Sequence, residues 1–162
     1  MKKIYQLDAV ELKMLPILQT DASLSVSDLA EATNSSPATC WRRLKSLEDN
    51  GVIGPPVRIV NPARIGRNMD VFCQVRMKSQ DAAARDALKR AVEQEPTIVE
   101  VYSTSGDWDY MLHLVVRDIE DFETILMRRI LELDCVANTS TLFALRRIKH
   151  TTMIPVSSDT GR

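Results

Sequence analysis

The sequence predicts an α+β chain built in two parts, and three observations carry that reading. Up to Gly51, apolar residues recur at spacings of three and four in short segments that begin on capping residues, the signature of helices. From Asp70 onward, runs that alternate apolar and polar take turns with helical stripes, the signature of a sheet covered by helices. Between the two patterns, Asn61, Pro62 and Gly66 mark a linker. The expected boundaries are 1–60 for the first domain, 61–69 for the linker, 70–156 for the second domain and 157–162 for a tail.

Asp8 and Glu11 form a capping box, and Leu12, Leu15 and Leu18 give the stripe of a first helix over about Asp8 to Gln19. Pro16 removes one backbone hydrogen bond there and is expected to kink it. Ser25 with Asp28 caps a second helix over Val26 to Thr33, with Leu24 and Leu29 at the positions of a hydrophobic staple. Asn34, Ser35 and Ser36 supply a turn, and Ser36 followed by Pro37 starts a third helix that runs to about Asn50 and stops at Gly51. Cys40, Leu44 and Leu47 must face a core, which leaves Ala38, Thr39, Arg42, Lys45 and Ser46 on the opposite side. Two helices joined by a tight turn, the second carrying small hydrogen-bonding residues and then cations, suit a major groove. A lone cationic helix face is more often plain solvated surface, but the separately capped helix before it favours DNA. Val52–Ile53 and Val57–Val60, flanking Gly54, Pro55 and Pro56, read as two short strands, completing a winged helix-turn-helix. The expected DNA contacts are Ser36, Ala38, Thr39, Trp41, Arg42, Lys45 and Arg58. Trp41 could stack on the duplex, but packing on the helix flank with partial exposure is the expected placement.

Hydrophobic residues make up 44% of the chain and charged residues 27%, the balance of an ordinary globular protein. The opening MKKIYQLDAVE has no apolar run behind its lysines, so neither signal peptide nor membrane anchor is expected, and the cytoplasm, on the nucleoid, is the expected location. Three scattered cysteines, Cys40, Cys73 and Cys135, read as reduced core thiols with no metal or cofactor attached. A net charge of −1 implies weak DNA binding per copy. Arg42, Arg43, Lys45 and Arg58 concentrate what positive charge there is near the third helix, so affinity is expected to come from several heads acting together.

In the second half, Val71, Cys73, Val75 and Met77 alternate with Gln74, Arg76 and Lys78 in a half-buried strand over Asp70 to Lys78. A helix over Ala82 to Glu95, a strand over Ile98 to Thr104, a turn over Ser105 to Trp108 and a strand over Asp109 to Val116 follow. Asp118 then caps a helix with the stripe Phe122, Ile125, Leu126 and Leu133, and a last strand covers Thr139 to Ile148, with a possible short extension at Thr152 to Pro155. This βαββαβ order is the ferredoxin-like one, an antiparallel sheet with both helices on one face. The uncovered face makes this the expected dimerisation domain.

Four stretches, LDAVELKML at Leu7–Leu15, SSPATCWRRLKSLEDNGVI at Ser35–Ile53, NPARIG at Asn61–Gly66 and SGDWDYMLHLVVRD at Ser105–Asp118, resemble the Lrp/AsnC family of transcription regulators in order and spacing. The resemblance implies dimers, often octamers, and a small effector, usually an amino acid, bound between subunits. By position it implies an effector loop of Ser105, Gly106, Asp107, Trp108, Asp109 and Tyr110 facing Val136 to Thr141. Glu11 stands where the family usually has Asp, and Pro55–Pro56 where it has Gly-Tyr, so a differently shaped wing is expected.

The loop has chemistry of its own. Asp107 or Asp109 can hold an ammonium, backbone N–H groups at Gly106 a carboxylate, and the Thr139 and Thr141 hydroxyls add neutral hydrogen bonds. Against this stands a plain β-turn whose Asp side chains bond the local backbone, a reading as strong for Asp109 as the ligand one. Ser103, Leu131 and Val136 would frame an apolar effector side chain of modest size. The two histidines, His113 and His150, sit beside no nucleophile or carboxylate cluster of recognisable spacing, so catalysis is not expected. Two DNA-binding functions remain: an amino-acid-modulated regulator of amino-acid-related genes, in which the effector shifts the assembly, and a nucleoid-associated architectural protein of low sequence specificity.

Overall fold

Helix α1 (Ala9–Thr20) begins where the sequence places it, because Asp8 Oδ1 accepts the Val10 and Glu11 N–H groups while Glu11 Oε2 accepts the Asp8 N–H. It continues through Pro16 to Thr20, whose hydroxyl bonds the Pro16 carbonyl. Helix α2 (Val26–Thr33) starts on the Ser25–Asp28 box and ends on Asn34 in the left-handed region, φ 53°. Helix α3 (Pro37–Asp49) starts on Ser36 and is followed by Gly51 at φ 66°, where a side chain would be strained. In this computed structural model, which describes residues 4–157, the three helices form one unit around Met14, Leu29, Ala30 and Cys40. Leu47 is fully buried and Leu44 half-buried, so the predicted stripe faces inward.

The expected wing strands are absent from the described residues. Val52 to Val60 carries no strand, and Val57 and Ile59 are 79% and 66% exposed. Pro55 and Pro56 have no N–H to offer a ladder, and Gly54 before them adds backbone freedom, so the two runs do not close a hairpin.

The second unit, Val60–Ile148, opens with a 3₁₀ turn at Pro62–Ile65 capped by Asn61. Its elements are β1 (Met69–Met77), α4 (Ala82–Glu93), β2 (Ile98–Ser103), β3 (Tyr110–Val116), α5 (Ile119–Ile125) and β4 (Val136–Phe143). The sheet is antiparallel with strand order β2-β3-β1-β4, the ferredoxin-like arrangement. β1 lies between β3 and β4, and its alternation sorts the sheet's faces. Val71, Cys73, Val75 and Met77 join Leu112, Leu114 and Val116 under Ala84 and Leu88 of α4 and Phe122 and Ile125 of α5. Phe72, Gln74 and Arg76 point to the other face, with Met111, His113, Val115, Tyr102 and Leu142 in register beside them. The single helix expected after Asp118 is interrupted: α5 gives way to a π-helix at Leu126–Leu131, which still buries Ile130.

β4 starts earlier than expected and ends at Phe143. Ala144 makes one more bond to the Asp70 carbonyl, and β1 then offers no further partner. No strand forms at Thr152–Pro155. The segment from Lys149, assigned by the sequence to the second domain, belongs to the first unit, because Gln19 holds it: Gln19 Oε1 accepts the Ile154 N–H at 2.6 Å, Nε2 donates to the Ile154 carbonyl at 3.1 Å, and the Thr152 hydroxyl donates to the Gln19 carbonyl. The expected tail beyond residue 157 lies outside the described residues.

Two consequences are measurable. Leu47→Ala leaves a cavity at a fully buried site and is expected to cost about 2–5 kcal/mol, read as a lowered urea midpoint. Burial pushes the Cys73 thiol up to about 11, against a Thr141 hydrogen bond that acts the other way. The neutral thiol is thus favoured in the folded chain, a contribution complete below the ordinary value of 9.0 and lost as pH rises toward about 11. Thiol titration at pH 8 is expected to label half-exposed Cys135 in the native protein and Cys40 and Cys73 only after denaturation.

Candidate functional site

The surface expected to read DNA lies on α3. With Cys40 and Leu47 held in the core, Ala38, Trp41, Arg42 and Lys45 fall at helical spacings of three and four on the outer side, and all four are exposed. Ser36 and Thr39 sit at the helix tip, where the Ser36 hydroxyl accepts the Thr39 N–H and the two hydroxyls bond each other at 2.8 Å. Trp41 is 61% exposed and shares the face of Arg42 and Lys45, more open than the flank packing expected of it.

Three polar residues of the reading helix are already engaged. Lys45 Nζ lies 3.0 Å from Asp49 and 3.9 Å from Glu48; the Asp49 hydrogen bond and charge raise its pKa. Arg43 is drawn off the expected basic patch into an ion pair with Asp8 at 2.7 Å. Ser46, expected on the outer side, turns inward to the Tyr5 hydroxyl at 2.9 Å. Arg42 and Arg58 are exposed, Arg58 on the Val52–Val60 segment that carries no strand.

At one end of the sheet in the second unit, the register brings the Thr104–Asp109 turn beside the end of β1 and the start of β4. Tyr110 opposes Val75, Val75 opposes Thr139, and Arg76 opposes Asn138. Gly106, at φ 115°, forms the tip with exposed Ser105 and Asp107. Arg76 clamps this turn from the open face: Nε donates to the Asp107 carbonyl at 2.7 Å, and the guanidinium lies over the Trp108 ring, 5.1 Å from its centroid. The Thr104 hydroxyl closes the turn by donating to the Trp108 carbonyl at 2.5 Å.

The predicted effector residues divide among different situations. Asp109 has both carboxylate oxygens occupied, Oδ2 by the Met77 N–H at 2.7 Å and Oδ1 by Gln80 Nε2 at 2.5 Å, so its role here is to join β3 to the end of β1. Val136 is 6% exposed in the core and offers almost no surface. Thr139 and Thr141 are half-buried, opposite Val75 and Cys73. Ser103 ends β2 on the far edge, with β3 and β1 between it and β4. Three strand spacings of about 4.8 Å separate those edges, roughly 14 Å in all, more than one free amino acid spans. Arg76, Gln80 and Asn138 went unassigned in the sequence; the alternation that places Arg76 opposite Cys73 and Val75 was the only available signal for it.

No helix among the described residues is long and apolar enough to cross a membrane. Residues 7–53 match the winged helix-turn-helix DNA-binding family and residues 70–154 the Lrp/AsnC ligand binding domain. The chain is 32% identical to the glutamate uptake regulatory protein of Zymomonas mobilis over 94% of its length and 93% of the relative's. Its fold superposes on the crystal structure of an AsnC family transcriptional regulator from Agrobacterium tumefaciens with a TM-score of 0.87 at 35% identity, covering 92% of this chain and 97% of that one. A transcriptional regulator from Neisseria meningitidis in complex with L-Met gives the same TM-score of 0.87 at 29% identity, covering 92% and 96%. These relatives are regulators of transcription rather than enzymes. A winged helix-turn-helix match over the first unit, an Lrp/AsnC ligand-binding match over the second and the likeness to an AsnC family regulator along nearly the whole chain make it a member of the Lrp/AsnC family of transcriptional regulators.

Proposed function

We propose that this protein regulates amino-acid-related genes by placing α3 in the major groove of double-stranded DNA, and that a free amino acid held between two copies modulates it. The observation that carries the DNA half is the division of α3, fully buried at Cys40 and Leu47 and exposed at Ala38, Trp41, Arg42 and Lys45. Ser36 and Thr39 at the tip meet base or sugar edges, while Arg42 and Arg58 meet phosphates or a guanine edge.

Two observations support an effector between copies. The Ser105–Asp107 turn is exposed and clamped from below by Arg76, yet Ser103 and the Thr139–Thr141 pair lie on opposite sheet edges. A second subunit is needed to bring the remaining partners to one ligand. The open face of the sheet, with Phe72, Tyr102, Met111, Val115 and Leu142, supplies the surface on which two copies pair, and such dimers assemble further into octamers. Asp107 holds the ammonium and the backbone at Gly106 the carboxylate. The Neisseria neighbour's bound L-Met and the Zymomonas relative's part in glutamate uptake support an amino acid as the class. The protein acts in the cytoplasm, on the nucleoid.

Arg42→Ala is expected to weaken binding to a duplex enriched from a random library by about tenfold and to lower the salt slope by about 1. Lys45→Ala is expected to cost less, because Asp49 already holds that ammonium. Fluorescence anisotropy at several salt concentrations checks both, and equal affinity for enriched and shuffled duplexes would favour the architectural reading instead.

A thermal-shift screen against the twenty amino acids tests the effector. At a hundredfold excess over Kd, a selective ligand is expected to stabilise the folded state by about 2.7 kcal/mol. Asp107→Ala is expected to abolish that rise while leaving the unliganded melting temperature unchanged. Asp109→Ala is expected to lower the unliganded value, because it strips the acceptor from the buried end of β1. A screen in which no amino acid raises the melting temperature contradicts the effector assignment.

A further inference from the structure

Both members of the α1 capping box carry a second contact that leads to α3, Asp8 directly and Glu11 through Tyr5. Asp8 Oδ1 caps α1, while its Oδ2 meets Arg43 Nε at 2.7 Å. Glu11 Oε2 accepts the Asp8 N–H, while Oε1 accepts the Tyr5 hydroxyl at 2.9 Å. Since the phenol has one proton and gives it to the carboxylate, the Ser46 hydroxyl, 2.9 Å away, must donate to the phenol oxygen. Glu11 is 1% exposed, so the Ser46–Tyr5–Glu11 hydrogen-bond chain, with its charge-assisted end at the carboxylate, is anchored in the core of the unit.

Arg43 and Ser46 are three residues apart and therefore share one flank of α3, turned about 100° from Arg42 and Lys45. Apolar packing of Cys40 and Leu47 fixes the distance between the helices but resists rotation and sliding weakly, because dispersion contacts have no direction. The Tyr5–Ser46 hydrogen bond supplies the direction, and the Asp8–Arg43 ion pair one turn away, whose Nε–H is not aligned on the carboxylate, adds attraction on the same flank. We propose that Tyr5, with Glu11 and Asp8, is a positioning residue for DNA recognition: the Tyr5–Ser46 and Asp8–Arg43 contacts set the rotation of α3 and hence which base edges Ala38, Thr39, Trp41 and Arg42 reach. The inference rests on the assignment of α3 as the reading helix.

The physical expectation is selective. Side-chain tips lie about 5–6 Å from a helix axis, so a 20° rotation moves them by roughly 2 Å. Base-edge hydrogen bonds tolerate a few tenths of an ångström, whereas attraction to phosphates falls off slowly with distance. Loosening the joint therefore weakens sequence-specific binding and spares non-specific binding.

The test uses the full chain, a duplex enriched from a random library by the wild-type protein, and a shuffled duplex of the same composition. Tyr5→Phe keeps the ring and removes only the hydroxyl; it is expected to weaken the enriched duplex about tenfold and the shuffled one less than twofold. Ser46→Ala is expected to behave the same way, the double variant no worse than either alone, and Ser46→Thr, which keeps the hydroxyl, to stay within about threefold of wild type. Thermal melts establish that each variant is folded, and if one is not, the other carries the test. Equal losses on both duplexes, or an unchanged ratio in a folded variant, overturn the positioning role. Arg42→Ala in parallel separates the two layers: if it too leaves binding unchanged, or if the library enriches no sequence, the reading-helix assignment fails and the proposal with it.

Discussion

The structure depends first on where its helices begin. Among the described residues, each of the five α-helices starts on a side-chain oxygen that accepts a backbone N–H of the first turn: Asp8, Ser25, Ser36, Asp81 and Asp118. A helix of seven to thirteen residues gains little from propensity alone, so a satisfied first turn decides its register. That register then decides function. In α3 the stripe of Cys40 and Leu47 faces the core, which leaves Ala38, Trp41, Arg42 and Lys45 facing out. In the first cap the same atoms do more, since Asp8 and Glu11 finish α1 and also reach α3.

In the second unit, the period of β1 plays the corresponding part. Odd positions from Val71 to Met77 join the helices, and even positions from Phe72 to Arg76 form the other face. Arg76 reaches the Gly106 turn because it ends the outward row, and Asp109 reaches the Met77 N–H because β3 opens beside the end of β1. The open face carries a polar knot as well. His113 stacks on Phe72 with centroids 4.8 Å apart and lies between Asp70 at 2.8 Å and Glu100 at 3.4 Å. Burial alone would raise the Asp70 carboxyl, but hydrogen bonds from His113 and Arg147 outweigh it and hold the group below the usual carboxylate range.

Local order was legible in the sequence. Four of the five caps, the α3 stripe and the alternation of β1 all sit within one turn or one strand of the residues that announce them. What was not legible depends on partners far along the chain. Gln19 holds Ile154 across 135 residues, and no local pattern assigns Lys149 onward to the first unit. Asp109 looks like a free turn carboxylate until Met77 and Gln80 occupy it, and Ser46 looks like outer surface until Tyr5 is placed. The missing wing strands are a different case: Val52–Ile53 and Val57–Val60 have strand composition, and the proline pair between them removes the donors a hairpin needs. Strand propensity without a partner left that segment outside any sheet.

The central claim is that one molecule joins a reading helix to an amino-acid sensor and that the second alters the first. Coupling of this kind is reciprocal, so it appears as a change in DNA affinity with effector and an equal change in effector affinity with DNA. The direct measurement is anisotropy titration of an enriched duplex with and without a saturating concentration of the amino acid that stabilises the protein, with light scattering on the same samples. The account predicts that affinity shifts by about fivefold or more, accompanied by a change in particle mass as the assembly of dimers alters. Superimposable isotherms and unchanged scattering at saturation would contradict it.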